Sequence, residues 1–441
     1  LLHQFLDVHA QQFTVNTPGQ QSAKNPSGTV LPRNKRTVQD VKYGSALQKV
    51  AAAERTLCFV QSFEYIVVGA GGVGAATAYQ LALRGQSVAL LERFQFAHDR
   101  GSSHGHSRIF RFAYDTPDYA RLAIEALRAW RELEDDAGEQ LFTQTGGLDL
   151  GPGGTVSLEQ TVLTLQMIGA EFHRLDAVEI MRRFPQWRVP DDWSGVYSED
   201  AGIVNPTETV EVLTAAAAAH GAHLSEYTVV QRVVVPNNPG EEIILETDRG
   251  AFSCRKLVIA AGAWLPELMP ELRLPLAVTL EATVFFRPRR LEEFRVGHFP
   301  IFIEHGTQTY GFPVFGLPGV KIAMHHKGDL TSASTRGFEV RQDVIETLHG
   351  FLERHLPLAA GRVIQTKTCL YTSTPNQDFL IDTHDQIVGG GSADILIASP
   401  CSGHGFKFVP LIGEIVADVA MGRQHPFWLP RFRSGNVIAQ P

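Results

Sequence analysis

Between Phe63 and Arg93 the chain reads FEYIVVGAGGVGAATAYQLALRGQSVALLER, and few folds can accommodate such a stretch. Tyr65 to Val68 form a short apolar, β-branched run that predicts a buried strand. Gly69, Gly71 and Gly74 follow at the G-x-G-x-x-G spacing, and Ala75 to Arg84 are strong helix formers. Gly85 ends that helix, and Ser87 to Leu91 predict a second strand closing on Glu92. The first glycine permits a tight turn, the second lets backbone approach a pyrophosphate, and the third lets helix pack on strand. The helix N-terminus then offers unpaired N–H groups and a positive dipole end to phosphate. Glu92 is placed to accept hydrogen bonds from a ribose diol. The unit predicts a dinucleotide site, and by itself serves NAD and FAD equally.

The 441 residues suffice for two or three domains. An apolar content of 44% and a charged content of 20% are those of an ordinary globular protein. The net charge of −8 argues against nucleic acid as a partner. No apolar run approaches the length of a membrane span. Cys58, Cys254, Cys369 and Cys401 lack the spacing of a metal site or disulfide framework, which fits a cytoplasmic location and no bound metal. The last residues, Ile438 to Pro441, carry no peroxisomal tripeptide.

Residues 1–62 are rich in Gln, Ser, Asn, Thr, Pro and Lys, with no sustained period. They are expected to be a disordered extension, with a short helix near Ser45 to Arg55. Beyond the opening unit, helices are predicted at Tyr119 to Ala137, Ala177 to Phe184, Pro206 to His220, Val340 to His355 and Phe406 to Ala420. Strands are predicted at Leu141 to Leu150, Val229 to Val235, Ile243 to Thr247, Lys256 to Ala260 and Ile395 to Ala398. Strand-helix units at both ends around an antiparallel-looking middle predict an α/β protein with an α+β second domain. A Rossmann-like nucleotide-binding domain would be assembled from 63–140, 206–274 and 369–425. A mixed-sheet substrate domain would use 141–205 and 275–368, and 426–441 would be a C-terminal tail.

Four further segments carry candidate chemistry. GSSHGHSRIFRFAY (101–114) places His104, His106, Arg108, Arg111 and Tyr114 just after the nucleotide unit. Arginines in an apolar context suit a carboxylate or phosphate, or they are solvated loop charges. In VKIAMHHK (320–327) Lys321 and His325 share one strand face, lining a cavity or guarding an exposed edge. In KTCLYTSTPNQDFLIDTH (367–384) Cys369 and Tyr371 also share a face, and a cysteine there reads first as a small buried hydrophobe. SGHGFKF (402–408) sets Gly403 and Gly405 before the last helix, where Lys407 opposes the dipole preference and calls for an anionic partner.

The order VVGAGGVGAA, RGSSHGHSRIFRFAY, GVKIAMH, CLYTSTPNQDFLIDTH, SGHGFKF resembles one family across about residues 63–425. It is similar to the monomeric sarcosine oxidase family of flavoprotein amine oxidases, with N-methyltryptophan oxidase and pipecolate oxidase as relatives. The resemblance implies a glutathione-reductase-like flavoprotein fold and FAD held by Gly69, Gly71, Gly74 and Glu92. It implies a covalent thioether from Cys369 to the flavin, which replaces the buried-hydrophobe reading. Arg111 and Lys407 would bind the substrate carboxylate, Arg108 would sit by the flavin ring, and Tyr371 and His325 would line the pocket. Lys321 would activate oxygen, and His104, Gly403 and Gly405 would contact the cofactor. The implied reaction oxidises a secondary amino acid, sarcosine or another N-methyl amino acid, to an imine that water hydrolyses, with O2 converted to hydrogen peroxide by a monomer. His106 departs from the acidic residue that several relatives carry there. Residues 283–300 are unlike the family and are a candidate seat of selectivity.

Alternatives remain open at this level. Behind sarcosine, a cyclic or bulky secondary amino acid such as pipecolate or N-methyltryptophan is the rival substrate, and a dehydrogenase with an acceptor other than oxygen is the rival class. A non-catalytic flavin-binding protein is opposed by Arg108, Arg111, Tyr371 and Lys407.

Overall fold

The glycines of the opening unit are dictated by contact. A computed structural model describes residues 60–438 apart from 237 and 239, so the expectations for the N-terminal extension before residue 60 lie outside the described residues. Strand β1 (Gln61–Val68) feeds helix α1 (Gly72–Leu83), and β2 (Val88–Leu91) follows. Gln61 and Ser62, expected in the extension, already pair with Phe252 and Ser253. Gly69 has φ +98°, and a Cβ there would lie 2.6 Å from Ala260 O. A Cβ on Gly74 would lie 1.8 Å from Gly69 O, so α1 packs on β1 only without a side chain at that position. Gly74→Val is expected to destabilise the protein by about 3 kcal/mol or more. Thermal unfolding checks this.

β1 is central in an eight-stranded sheet, parallel to β2 on one side and to Gly250–Ile259 on the other. His223–Ser225 extends the parallel array beyond β2, and Ile395–Ser399 extends it beyond Gly250–Ile259. This open, mainly parallel order is that of a nucleotide-binding fold, with ligand space at the carboxyl ends of the strands. Helix Pro206–Ala219 packs on α1 and begins with Asn205 accepting from Glu208 N and with Pro206 at its first position.

A nine-stranded mixed sheet forms the second layer. Ala277–Phe286 pairs along its length with Val363–Ser373 on one side, and with Val320–Met324 and Asp329–Leu330 on the other. The strand bearing Cys369 therefore belongs to this sheet, and the boundary expected at residue 369 falls inside it. Val320–Met324 also pairs with Thr309–Phe312, so Lys321 is on an interior strand rather than an exposed edge. The single strand expected over Leu141 to Leu150 is two, Phe142–Gln144 and Gly147–Pro152, in different sheets.

Helix Val156–Ile168 has no clear pattern in the sequence. Its buried side mixes Thr161 and Thr164 with Leu158, Val162 and Leu165, whereas Val156, Leu163 and Met167 are exposed, which blurs the usual amphipathic signal. Residues 283–300 also differ from expectation. Phe294 and Phe299 enter the core beside Trp187 and Phe302, and of this segment only Thr283 reaches the main cavity. The C-terminal segment docks back through Ser434, whose N–H and hydroxyl both donate to Asp382. No helix among the described residues is long and apolar enough to cross a membrane.

Candidate active site

One cavity of about 720 Å3 is lined both by the glycine turn after β1 and by the segments around residues 321, 369 and 407. At the end formed by the glycine turn Glu92 Oε2 accepts from Ala70 N (2.8 Å) and Oε1 accepts from Phe94 N (2.9 Å). Burial raises the pKa of this carboxyl, but hydrogen bonds from His98 and the two amides outweigh it and hold the group below the usual carboxylate range. Gly72 N donates to Ser103 Oγ at 3.0 Å, tying the start of α1 to the loop after β2. Arg93 stacks over Phe94 and Trp264, 5.0 and 5.2 Å from the ring centres. Arg93 and Trp264 belong to the wall although nothing in the sequence singled them out.

In the middle of the cavity the Arg-rich loop is pinned to the second sheet. Ser102 Oγ donates to Leu370 O (2.5 Å), next to Cys369. Arg108 folds back on its own loop, with Nη2 on Ser102 O (2.8 Å) and Nη1 on Ser107 O (2.9 Å). Lys321 Nζ reaches the same Ser107 carbonyl at 2.8 Å and lies 4.5 Å from the centre of the Phe312 ring. Two cations thus converge on one carbonyl. Burial, and then the neighbouring Arg108, push the Lys321 ammonium well below the ordinary lysine range. Cys369 is a buried free thiol in the wall, and burial raises its pKa against the pull of Arg108 and Lys321.

The third part of the wall is built around Tyr114. Lys407 Nζ donates to Tyr114 OH and to His404 O, both at 2.8 Å. Arg111 lies over the same Tyr114 ring, 5.2 Å from its centre. Tyr114 OH is 3.1 Å from His404 Nδ1, and His404 Nε2 is 3.1 Å from Gln377 O. A carbonyl only accepts, so Nε2 carries the proton in the neutral ring, and Tyr114 accepts from Lys407 while donating to Nδ1. Burial and the Lys407 charge keep His404 well below the ordinary histidine range. The anionic partner expected for Lys407 is thus absent among the described residues, since both of its acceptors are neutral. Lys407 sits in a 3-10 turn, Phe406–Phe408, ahead of helix Val409–Ala420, and Trp130 Nε1 holds its carbonyl at 2.7 Å.

Beside these cations stands an aromatic group. His325 Nδ1 is 3.4 Å from Tyr371 OH, and Tyr310 adjoins both rings. Burial, with His326 and Lys407 adding to it, pushes His325 down to about 3, so its ring is neutral at ordinary pH. Gly403, with φ +76°, passes so close that a Cβ would lie 2.5 Å from the Tyr371 ring and 2.8 Å from His325. A Cβ on Gly405 would lie 1.8 Å from Pro400 O, which makes that glycine necessary to the turn.

The wall therefore unites Gly69, Gly71, Glu92, Arg108, Arg111, Lys321, His325, Cys369, Tyr371, Gly403, Gly405 and Lys407. Two expected residues stand outside it. Gly74 acts through packing, and His104 is buried beneath its loop, where burial and Arg108 push it down to about 3. His106 packs against Gly316 rather than into the cavity. Tyr114, Tyr310 and Cys401 join the wall without having been assigned a role from sequence.

The cavity suits an FAD. Its volume lies high in the range of about 300–1,000 Å3 for small-molecule sites. Gly71 presents bare backbone at the N-terminus of α1. Arg93 Nε and Ser399 Oγ are buried without partners in residues that line the wall.

Residues 64–419 match the family described as FAD dependent oxidoreductase. Monomeric sarcosine oxidase of Streptomyces avermitilis is 33% identical over 389 residues, covering 86% of this chain and 99% of that protein. N-methyl-L-tryptophan oxidase of Salmonella newport is 31% identical over 378 residues, covering 84% and 98%. Among solved structures, NikD, an unusual amino acid oxidase essential for nikkomycin biosynthesis, superposes with a TM-score of 0.75 at 28% identity, covering 85% of this chain and 98% of that one.

Proposed function

This chain belongs to the FAD-dependent oxidoreductase family, and from that premise we propose that it oxidises a secondary amino acid, sarcosine or another N-methyl amino acid. The products are an imine, hydrolysed to aldehyde and amine, and hydrogen peroxide from O2. The observation that carries this reading is that Lys407, whose acceptors are both neutral, and the unpaired edge of Arg111, whose Nη1 alone is paired with Asp149, stand beside the neutral Tyr371, His325 and Tyr310.

Gly69, Gly71, Gly74 and Glu92 would hold the dinucleotide, with Cys369 as the point of covalent attachment. The flavin supplies the two-electron acceptor for the C–N bond. Arg111 and Lys407 bind the carboxylate, which fixes one end of the substrate. His325 and Tyr371 bring no charge to the amine end, so carboxylate and amine sort themselves between the two halves of the pocket. Low polarity there also favours the neutral amine that oxidation requires. Lys321 and Arg108 place positive charge where oxygen is reduced. The enzyme acts as a monomer in the cytoplasm.

A panel of secondary amino acids with peroxide detection tests the proposal; absence of turnover with any of them under air refutes it. A bulkier or cyclic substrate, such as pipecolate or N-methyltryptophan, is a second reading. It is favoured by the extent of the wall, which also includes Thr161, Ile303 and Gln308. Turnover of a bulky amine with none of sarcosine selects it. Fast anaerobic bleaching followed by slow recovery in air selects a dehydrogenase.

The Lys407 site sets a pH dependence. Its pKa is held well below the usual lysine value by burial, and further by Arg111. The charged form exists below that lowered pKa and is lost as pH rises through it. KM for a carboxylate-bearing substrate is therefore expected to climb at a pH where a solvated lysine would still be charged. Lys407→Met should raise KM and flatten that climb, measured as kcat/KM against pH.

A further inference from the structure

Arg111 does not face the cavity unsupported. Its Nη1 donates to Asp149 Oδ1 at 2.7 Å and also to Ala113 O. Asp149 is 4% exposed, on the interior strand Gly147–Pro152 that pairs with Trp193–Ser198 and Ile301–Glu304. Its Oδ1 is also 2.9 Å from His305 Nε2, and His305 Nδ1 is 2.9 Å from Ser157 Oγ. A carboxylate only accepts, so Nε2 carries the proton, and in the neutral ring Nδ1 accepts from the Ser157 hydroxyl. Ser157, His305 and Arg111 line the cavity, whereas Asp149 is not part of its wall.

A Ser-His-Asp chain can serve a hydrolase, but here the amides beside the serine are occupied. Leu158 N and Glu159 N both donate to Thr155 O, so neither is placed to stabilise an oxyanion. The chain ends on Arg111, and that is where its effect falls.

We propose that Asp149, backed by His305 and Ser157, is a positioning residue for the carboxylate clamp. It holds Arg111 by Nη1 and leaves Nη2 and Nε, which have no partner among the described residues, as the edge offered to a substrate carboxylate. The inference rests on the reading of Arg111 given under the proposed function. A guanidinium is a rigid planar fork, so fixing one nitrogen fixes the plane in which the others point.

The test uses the FAD-loaded protein and (methylthio)acetate, which has the carboxylate of an N-methyl amino acid but no oxidisable C–N bond. Binding is read from the change in flavin absorbance. Asp149→Ala is expected to weaken binding about tenfold or more, the order for loss of a charge-assisted hydrogen bond. Asp149→Asn retains an oxygen that accepts from Nη1 and is expected to recover affinity to within about threefold of the parent. Dimethyl sulfide, which lacks the carboxylate, should bind all three proteins alike. In turnover Asp149→Ala should raise KM far more than it lowers kcat. Unchanged binding in Asp149→Ala, equal damage in both variants, or equal loss for dimethyl sulfide would overturn the inference. If the parent binds (methylthio)acetate but oxidises no secondary amino acid, the oxidase reading fails while the titration still decides the role of Asp149.

Discussion

Cys369→Ser protein, loaded with FAD and precipitated with acid, is expected to leave a white pellet under a yellow supernatant, whereas the parent gives a yellow pellet. The change is all or none because a single covalent bond decides it. Cys369 is buried on strand Val363–Ser373 with its thiol free and its face toward the cavity. Only the thiolate is a strong nucleophile, and burial disfavours it. Arg108 and Lys321 oppose that cost, so the thiol has cations beside it where reactivity is needed. Serine fills nearly the same space, which separates loss of the bond from loss of the fold. Cys401 supplies the contrary outcome. It is a second free thiol in the same wall, 3.4 Å from Thr372 N. A yellow pellet from Cys369→Ser and a white one from Cys401→Ser would move the attachment to Cys401.

Lys321→Met is expected to slow the reaction of the reduced enzyme with dioxygen by about 10²–10³-fold, the order seen when one preorganised electrostatic stabiliser is removed. Reduction by the amine in the absence of air should change much less. The argument is electrostatic. Negative charge develops on dioxygen beside a buried ammonium, and a fixed cation acts more strongly there than in bulk water. Lys321 is held for this by Ser107 O, and methionine keeps its length without its charge. The substitution keeps the Ser107 carbonyl paired, since it still accepts from Arg108 Nη1, and also removes the 3.2 Å bond to the Ser107 hydroxyl. The lowered pKa adds a sign: the cation is lost as pH rises through that value, so oxygen reactivity of the parent should fall on the alkaline side and that of the variant should not. Stopped-flow measurement of the two half-reactions checks both points. Comparable loss in both would assign Lys321 to the amine reaction.

Local segments declared themselves because their physics is local. Gly69 needs a positive φ and Gly74 needs an absent side chain whatever the rest of the chain does, and both needs are written as spacing. The helix Pro206–Ala219 carries its own proline and its own Asn205 cap. Helix Val156–Ile168 stayed hidden because threonines share its buried side with Leu158, Val162 and Leu165 while further apolar residues lie on its exposed side. Lys321 and His325 were legible as sharing a face, but whether that face met a cavity or solvent depended on two neighbouring strands. Cys369 and Lys407 were placed in the site by resemblance, since nothing in their immediate neighbours distinguishes a cavity thiol from a core thiol.

By itself, then, the amino-acid sequence determined a strand-turn-helix nucleotide unit and the residue types of an anion-binding, flavin-dependent site. The tertiary structure decided which charges are opposed. It placed Asp149 and His305 behind Arg111, Tyr114 against both Arg111 and Lys407, and only neutral acceptors on Lys407. It also turned His104 out of the wall. The reason is that backbone sterics act over a few residues, whereas the energy of a buried charge depends on whatever the fold brings within a few ångströms of it, however far away in the chain.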